Sequence, residues 1–183
     1  VQTCALPILG EKIYQEKPKF TGDVIAFSMV PYLDKPVIRV GRVSVLFLPY
    51  YFPCEQIQCS YYHLLMGLDI TAFPSYYEPW GYTPHESVAF HVPTITTDLA
   101  GFGEWAARQK EAQEGAVTVV HRTDSNYWEV VDKIAQSLFS YMHANKNTVR
   151  KARQNAAKIA EKAEWKHFFA AYREAYSIAL NGK

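Results

Sequence analysis

The sequence lacks the features of several large protein classes. It has no uninterrupted apolar run of about 18 residues, so a membrane span is not expected. Its 19 lysines and arginines nearly balance 18 acidic residues, and a net charge of +1 gives no electrostatic reason to expect nucleic acid as a partner. Repeats and low-complexity segments are also absent. One soluble domain is predicted, because 183 residues of which 49% are apolar suffice for a core.

Cysteine is scarce and has no metal-site spacing. Cys4, Cys54 and Cys59 are odd in number and lack the C-x2-C or neighbouring His-x3-His spacing of a zinc site. Buried or incidental thiols are therefore favoured over a disulfide or metal site at Cys54 and Cys59. This usage predicts a reduced, cytoplasmic protein.

The first eight residues, VQTCALPI, resemble a translation of sequencing-adapter DNA. We therefore treat residues 1–8 as non-native sequence and expect the domain to occupy residues 9–183. The chain that follows reads as if it begins within a fold, which predicts that the domain is incomplete.

Apolar runs of strand length alternate with amphipathic stretches of helix length, which is typical of an α/β fold. Strands are predicted at 23–30, 43–51, 69–74, in VPTITTD and in AVTVV, and their β-branched and aromatic content is typical of a sheet buried on both faces. Short and medium helices are predicted in SYYHLLMGL and in EWAARQKEAQEG, the second closed by Gly115.

Two long helices are predicted after Asp124. The first, capped by Asp124 or Ser125, has one apolar face, formed by Tyr127, Val130, Val131, Ile134, Leu138, Tyr141 and Met142. The second begins near Asn147, presents Val149, Ala152, Ala156 and Ile159, and continues into an aromatic patch of Trp165, Phe168, Phe169, Tyr172 and Tyr176.

Residues 146–166 contain seven basic and two acidic residues. A solvated helix face is the favoured interpretation. The alternative is a site for a phosphorylated effector or a polyanion.

Two glutamates flank a turn in the segment SYYEPWGYTPHESVAFHVPTITTDLAGFGEW. Glu78 and Glu86 stand eight positions apart, and Thr83, Pro84 and Glu86 fit the start of a helix, with Thr83 as N-cap and Glu86 completing a capping box. The same helix start, just beyond the end of a strand, is where open α/β sheets bind phosphorylated ligands. Gly81 would let the backbone approach a diphosphate closely.

The whole string is more specific than its parts. PSYYEPWGYTP, the following ES, and VPTITTDLAGFG resemble the glycogen synthase family of retaining glycosyltransferases, including the form that uses UDP-glucose. The resemblance is strong from Tyr61 to Gly103 and weaker beyond, and VIAFSMVP also resembles a family strand. It implies the C-terminal half of a two-domain GT-B fold: a Rossmann-like parallel sheet with helices on both faces, ending in two long helices.

The resemblance also implies roles for the residues of the segment. Glu78 would contact the donor glucose and favour an oxocarbenium-like transition state. Glu86 would accept hydrogen bonds from the nucleoside ribose, and the turn of Gly81, Tyr82 and Thr83 would hold the diphosphate. Tyr77, Trp80 and Tyr82 are candidates for packing against base or sugar, although such rings are as often core. Thr97, Leu99, Ala100 and Gly101 are expected to shape the same cleft, or simply to end a strand.

The family implies no metal and no cofactor, and the chain has no D-x-D pair. A nucleotide-glucose donor is expected, UDP-glucose rather than ADP-glucose, with α-1,4-glucan as acceptor and configuration retained. Double displacement with Glu78 as nucleophile is the mechanistic alternative. The family binds the acceptor through an N-terminal domain that is missing here, and the segment 31–60 is shorter than its family counterpart. We therefore expect an inactive fragment that is able to self-associate.

The spacing of Glu78 and Glu86 is shared more widely among retaining transferases, so another retaining GT-B glycosyltransferase is an alternative. Two other classes also fit paired glutamates. A glycoside hydrolase uses two carboxylates, but it does not need the anion site that this turn offers. A nucleotide-sugar-binding module without activity is the second alternative. Binding of UDP discriminates against the hydrolase, and an adjoining glucan-binding domain would discriminate against the inactive module.

Overall fold

The computed structural model describes residues 8–9, 37–40, 43–46 and 61–181. The elements are β1 (Ile8–Leu9), β2 (Val37–Val40), β3 (Val43–Leu46), α1 (Tyr61–Met66), β4 (Leu68–Phe73), α2 (Tyr82–Ala89), β5 (Thr94–Thr97), α3 (Gly101–Ala107), β6 (Val117–Val120), α4 (Tyr127–Met142), α5 (Lys146–Lys162) and α6 (Trp165–Asn181). The predicted strand at 23–30 and the end of the strand predicted at 43–51 lie outside these residues. Within them, no helix has both the length and the apolar character needed to cross a bilayer.

The described strands form one sheet in the order β2-β3-β1-β4-β5-β6. Strands β4, β5 and β6 pair in parallel, with Thr94 opposite both Thr71 and Val117. Strands β1, β2 and β3 are antiparallel to their neighbours. The predicted parallel sheet is thus confirmed for β4–β6, and antiparallel strands extend it. The carboxyl ends of the parallel strands meet at one edge, which is where open α/β sheets bind ligands.

Helices cover both faces of the parallel part, as predicted. On one face α4 packs against the sheet through the buried side chains Val130, Ile134 and Leu138. The opposite core joins α2, α3 and α5 to β6 through Val88, Phe102, Ala106, Val117, Ala156 and Ile159. Burial on both sides explains why the parallel strands are nearly continuous runs of apolar residues and threonine.

The helix predicted to end at Gly115 differs from the observed one. Helix α3 begins earlier, at Gly101, and ends at Ala107. An irregular connection then leads into a π-helical segment, Ala112–Ala116, in which Gly115 has a φ of 98°. Gly115 therefore closes the helical region as predicted, because glycine adopts left-handed backbone without the clash of a Cβ.

The helices after Asp124 also differ from prediction in two places. The N-cap of α4 is Asn126, not Asp124 or Ser125. The Asn126 side chain makes no capping hydrogen bond to α4 and bonds to the preceding loop. Its Oδ1 accepts from the backbone N–H of Thr123 (2.7 Å), and its Nδ2 donates to the carbonyl of His121 (3.0 Å). The second predicted long helix is two helices, because α5 ends at Lys162 and α6 begins at Trp165.

Several basic residues of α5 make contacts within the domain. Lys151 and Lys162 form ion pairs with Glu114 (3.3 Å) and Glu111 (2.6 Å). Arg153 donates to the carbonyl oxygen of Leu68 (3.2 Å). These contacts favour the plain interpretation of the basic stretch, in which its charges are solvated or paired on a helix surface.

Helix α6 exposes one face of aromatic rings, which we call the α6 aromatic face: Trp165, Phe169, Tyr172 and Tyr176. These residues recur at helical spacing, and each ring is about half exposed or more. Phe168, by contrast, packs against Trp80 and Trp105 with ring centroids 5.4 and 5.9 Å apart. The described part of the domain therefore leaves an apolar surface of the kind that marks interaction sites or promotes association.

We expect the 183-residue chain to associate in a concentration-dependent manner, and the double substitution Trp165→Ser, Phe169→Ser to reduce this association. Sedimentation velocity over a range of concentrations measures the effect. Trp128→Ser with Phe139→Ser is the matched control, because both rings are exposed on α4 and belong to another surface. Equal association of the wild type and the α6 double variant would contradict the prediction.

Candidate functional site

The turn between the two glutamates is built around Gly81. Its backbone is left-handed (φ 97°, ψ 76°), and α2 begins at the next residue, Tyr82. A Cβ added at Gly81 would lie 2.9 Å from Oε2 of Glu78. Glycine is favoured here because it allows the positive φ, and the Glu78 carboxylate lies beside it at the start of the helix.

The predicted capping box is wrong. Gly81 is the N-cap of α2 and makes no side-chain cap hydrogen bond, so Thr83 and Pro84 lie inside the first turn. The buried Oγ1 of Thr83 has no hydrogen-bond partner in the described part of the chain. The left-handed glycine turns the chain into the helix two residues before the predicted cap. Capping consequently does not explain Glu86.

The backbone of Glu78 is fixed by the loop that follows β5. The Glu78 N–H donates to the carbonyl oxygen of Leu99 (3.2 Å), and the Gly101 N–H donates to the carbonyl oxygen of Glu78 (3.1 Å). Glu78 and Ala100 thereby form an isolated parallel bridge beyond the ends of β4 and β5. This bridge holds the Glu78 side chain at the carboxyl edge of the sheet.

Two glycines allow close backbone packing at the start of α3, Gly101 against the Glu78 turn and Gly103 against the end of β5. A Cβ at Gly101 would lie 2.2 Å from the carbonyl oxygen of Pro79, and a Cβ at Gly103 would lie 2.1 Å from that of Thr97. No real Cβ occupies such positions. Gly101 therefore lets the loop after β5 pack against the backbone of the Glu78 turn.

Glu86 lies on α2 and is partly buried. The Tyr62 hydroxyl of α1 donates to its Oε1 at 3.2 Å. Burial raises the pKa of the Glu86 carboxyl above its ordinary value, and the hydrogen bond from Tyr62 acts in the opposite direction. Glu86 is thus a half-buried acceptor with a neutral donor on one oxygen.

The three candidate aromatic residues occupy different environments. Tyr77 and Tyr82 expose 63% and 65% of their surface. Trp80 packs against Phe102 and Phe168, and its Nε1 donates to Nδ1 of His85 (3.1 Å). Burial lowers the pKa of His85, which favours the neutral ring that accepts this hydrogen bond. Trp80 therefore has a packing role, whereas the rings of Tyr77 and Tyr82 are available at the surface.

A hollow of about 260 Å³ connects the start of α2 to the last helix. It is lined by Trp80, Tyr82, His85, Ala163, Trp165, Phe168 and Tyr172. The α6 aromatic face consequently begins next to the turn of Gly81 rather than at a remote surface.

Arg122 is a residue that sequence reasoning missed. It lies two residues after β6 and is almost fully buried; its side chain donates to the carbonyl oxygen of Pro74 and lies 3.4 Å over the ring of Tyr76. Oδ1 of Asp98 accepts from the Arg122 backbone N–H at 2.9 Å, which ties the ends of β5 and β6 together. A charged residue two positions after a strand of the parallel sheet was the signal available in the sequence.

Tyr62 was also missed, since SYYHLLMGL was interpreted only as a short helix. That helix is confirmed as α1. The pair of adjacent tyrosines on a helix that precedes the site strand was the available signal, but nothing local indicates that one of them reaches Glu86, 24 residues away.

Comparison with protein families identifies relatives of this chain. A family model described as glycogen synthase matches residues 36–183. Glycogen [starch] synthase isoform 1 of Saccharomyces cerevisiae is 28% identical over 144 residues, which cover 76% of this chain and 20% of that protein. Glycogen [starch] synthase of Dictyostelium discoideum is 26% identical over 189 residues, which cover 96% of this chain and 22% of that protein. Liver glycogen [starch] synthase of Mus musculus is 25% identical over 190 residues, with 96% and 27% covered.

The chain spans about a fifth to a quarter of the length of these relatives. The match to the family model includes β2, β3 and every described element from α1 onward, and so contains both glutamates and the turn between them. Because the family model covers most of the sequence, the chain belongs to the glycogen synthase family.

Proposed function

We propose that this chain supplies the donor-binding half of a glucosyltransferase that moves glucose from a nucleotide-glucose to the non-reducing end of an α-1,4-glucan, with retention of configuration. The observation that carries the proposal is the Glu78 carboxylate, held beside the left-handed Gly81 at the start of α2. A helix start at the carboxyl edge of a parallel sheet attracts phosphate. A carboxylate next to the helix start could stabilise the positive charge that develops on a sugar as its bond to that phosphate breaks.

The roles follow from position along the turn. Glu78 stabilises the positive charge that develops on the donor glucose. The backbone of Gly81, Tyr82 and Thr83 holds the diphosphate that leaves. Glu86, farther along α2, accepts hydrogen bonds from the ribose, and Tyr77 and Tyr82 offer exposed rings to the base or sugar.

The family resemblance favours UDP-glucose over ADP-glucose as donor, and a cytoplasmic enzyme. By the same resemblance, the acceptor glucan would be held by a further, N-terminal domain. For the 183-residue chain by itself we expect weak binding of UDP without glucan elongation, because phosphates can reach the turn but donor and acceptor cannot be held in reacting geometry. Transfer of glucose from UDP-glucose to glycogen by this purified chain would contradict that expectation.

Glu86→Gln tests the ribose role. Glutamine removes the charge while keeping the shape, and hydrogen bonds to charged groups are the stronger ones, so UDP affinity should fall by about 1–3 kcal/mol. Thermal stability should barely change, because Glu86 does not cap α2. Calorimetric titration with UDP and thermal unfolding measure the two quantities.

Glu129→Gln is the matched control for that substitution. Glu129 is an exposed carboxylate on α4, which covers the opposite side of the sheet from α2, so its removal should leave UDP affinity unchanged. If Glu86→Gln binds UDP as tightly as the wild type does, the ribose role is wrong.

A further inference from the structure

Tyr62 is placed to act on the proposed ribose acceptor. It lies on α1, immediately before the strand that leads into the site, and its hydroxyl donates to Oε1 of Glu86 at 3.2 Å. The side chain is half exposed, so packing of the ring does not by itself explain why this residue is a tyrosine. A phenylalanine would serve packing equally well but could not donate to the carboxylate.

The ring that carries this hydroxyl is held by the helix that carries Glu86. Tyr62 stacks on Phe90, with ring centroids 5.3 Å apart and planes 25° from parallel. Phe90 is the C-cap residue of α2 and lies four positions after Glu86, hence on the same helix face. The stack and the hydrogen bond therefore fix Tyr62 and Glu86 relative to each other.

A hydrogen bond to one carboxylate oxygen limits rotation of the whole group. With Oε1 held by Tyr62, the direction in which Oε2 accepts is set before a ligand arrives. A carboxylate that is already oriented before the ligand binds has higher affinity and selectivity for ligand hydroxyls. This orientation increases the affinity for a ribose, whose hydroxyls can donate to Oε2, but not for a dideoxyribose, which has no such hydroxyls.

We infer that Tyr62 is a positioning residue, which orients the Glu86 carboxylate so that the site selects ribonucleotides over nucleotides without ribose hydroxyls. The inference rests on the proposed ribose role of Glu86. Tyr62 itself does not contact the reacting atoms.

The test is the ratio of the dissociation constants of 2′,3′-dideoxy-UDP and UDP, measured by calorimetry on the 183-residue chain. The wild type is expected to prefer UDP. Tyr62→Phe keeps the stack on Phe90 and removes one oxygen, and it should reduce this preference by about 3- to 10-fold, the worth of one hydrogen bond. If Tyr62 had only a structural role, its loss would weaken the binding of both nucleotides equally and leave the ratio of their dissociation constants unchanged.

Two further variants complete the design. Tyr176→Phe removes an exposed hydroxyl from α6 and is the matched control, with the preference expected to stay as in the wild type. Glu86→Ala should abolish the preference, and adding Tyr62→Phe to it should have no further effect, since the hydroxyl has lost its partner.

The outcomes separate the inference from the function on which it rests. If Glu86→Ala abolishes the preference but Tyr62→Phe keeps it within twofold, the positioning role is overturned and the ribose role of Glu86 stands. If Glu86→Ala keeps the preference, both are overturned. Thermal unfolding of Tyr62→Phe near the wild-type temperature establishes that a changed ratio does not arise from misfolding.

Discussion

Glu78→Gln is expected to lower the turnover of glucosyl transfer by about 100-fold or more, with little change in donor affinity. The substitution keeps the shape of the side chain beside Gly81. It removes the negative charge that would stabilise the positive charge developing on the sugar. The backbone hydrogen bonds of Glu78 to Leu99 and Gly101 do not involve the side chain, so the turn should keep its geometry. The measurement requires a protein that extends this chain to the length of its relatives.

Steady-state rates with UDP-glucose and glycogen separate the two effects, because loss of an interaction made only in the transition state lowers kcat and leaves KM nearly unchanged. Glu129→Gln in the same protein is the control and should retain normal turnover. Near-normal transfer by Glu78→Gln would refute the catalytic role. Release of glucose from an α-glucan without any nucleotide would instead favour the hydrolase alternative.

Gly101→Ala is expected to destabilise the domain by about 3 kcal/mol or more, as severe overpacking does. The new Cβ would lie 2.2 Å from the carbonyl oxygen of Pro79, which is backbone and cannot rotate away. The neighbouring hydrogen bonds between Glu78, Leu99 and Gly101 tie the two loops together, so relief of the clash must disrupt them. Urea unfolding of the purified chain measures the loss, and UDP affinity should fall with it because the Glu78 turn is displaced.

Gly115→Ala provides the matched comparison. Gly115 also has a positive φ of 98°, but an added Cβ would meet only Ala152 at an ordinary 3.6 Å. Its cost should be limited to the left-handed backbone, about 1–2 kcal/mol, and UDP affinity should not change. If Gly101→Ala costs no more than Gly115→Ala, close packing of the two loops does not stabilise the site.

Local patterns in the sequence determined the strands and helices around the site. The apolar run at 69–74 predicted β4, and the runs VPTITTD and AVTVV predicted β5 and β6, because strands covered by helices on both sides must be apolar nearly throughout. Gly115 was found for a local reason as well, since a left-handed residue after a helix is usually glycine. The string PSYYEPWGYTP, with the following ES and VPTITTDLAGFG, indicated the family by its residues.

The start of α2 was decided by tertiary structure. Thr83, Pro84 and Glu86 have the local signature of a capped helix, yet the helix begins after Gly81. The residues before this start are tied by the backbone hydrogen bonds of Glu78 to the loop of Leu99 and Gly101, about 20 residues along the chain. Sequence spacing does not reveal such neighbours.

The partners of the site residues were likewise beyond the sequence. Glu86 meets Tyr62 across 24 residues, and Pro74 meets Arg122 across 48. A single sequence determines which residues can donate or accept a hydrogen bond, and its periodicity determines which of them lie on strands or helices. Which donor reaches which acceptor depends on how those elements pack, because hydrogen bonds require atoms within about 3 Å and only the folded sheet brings β4, β5 and β6 to a common edge.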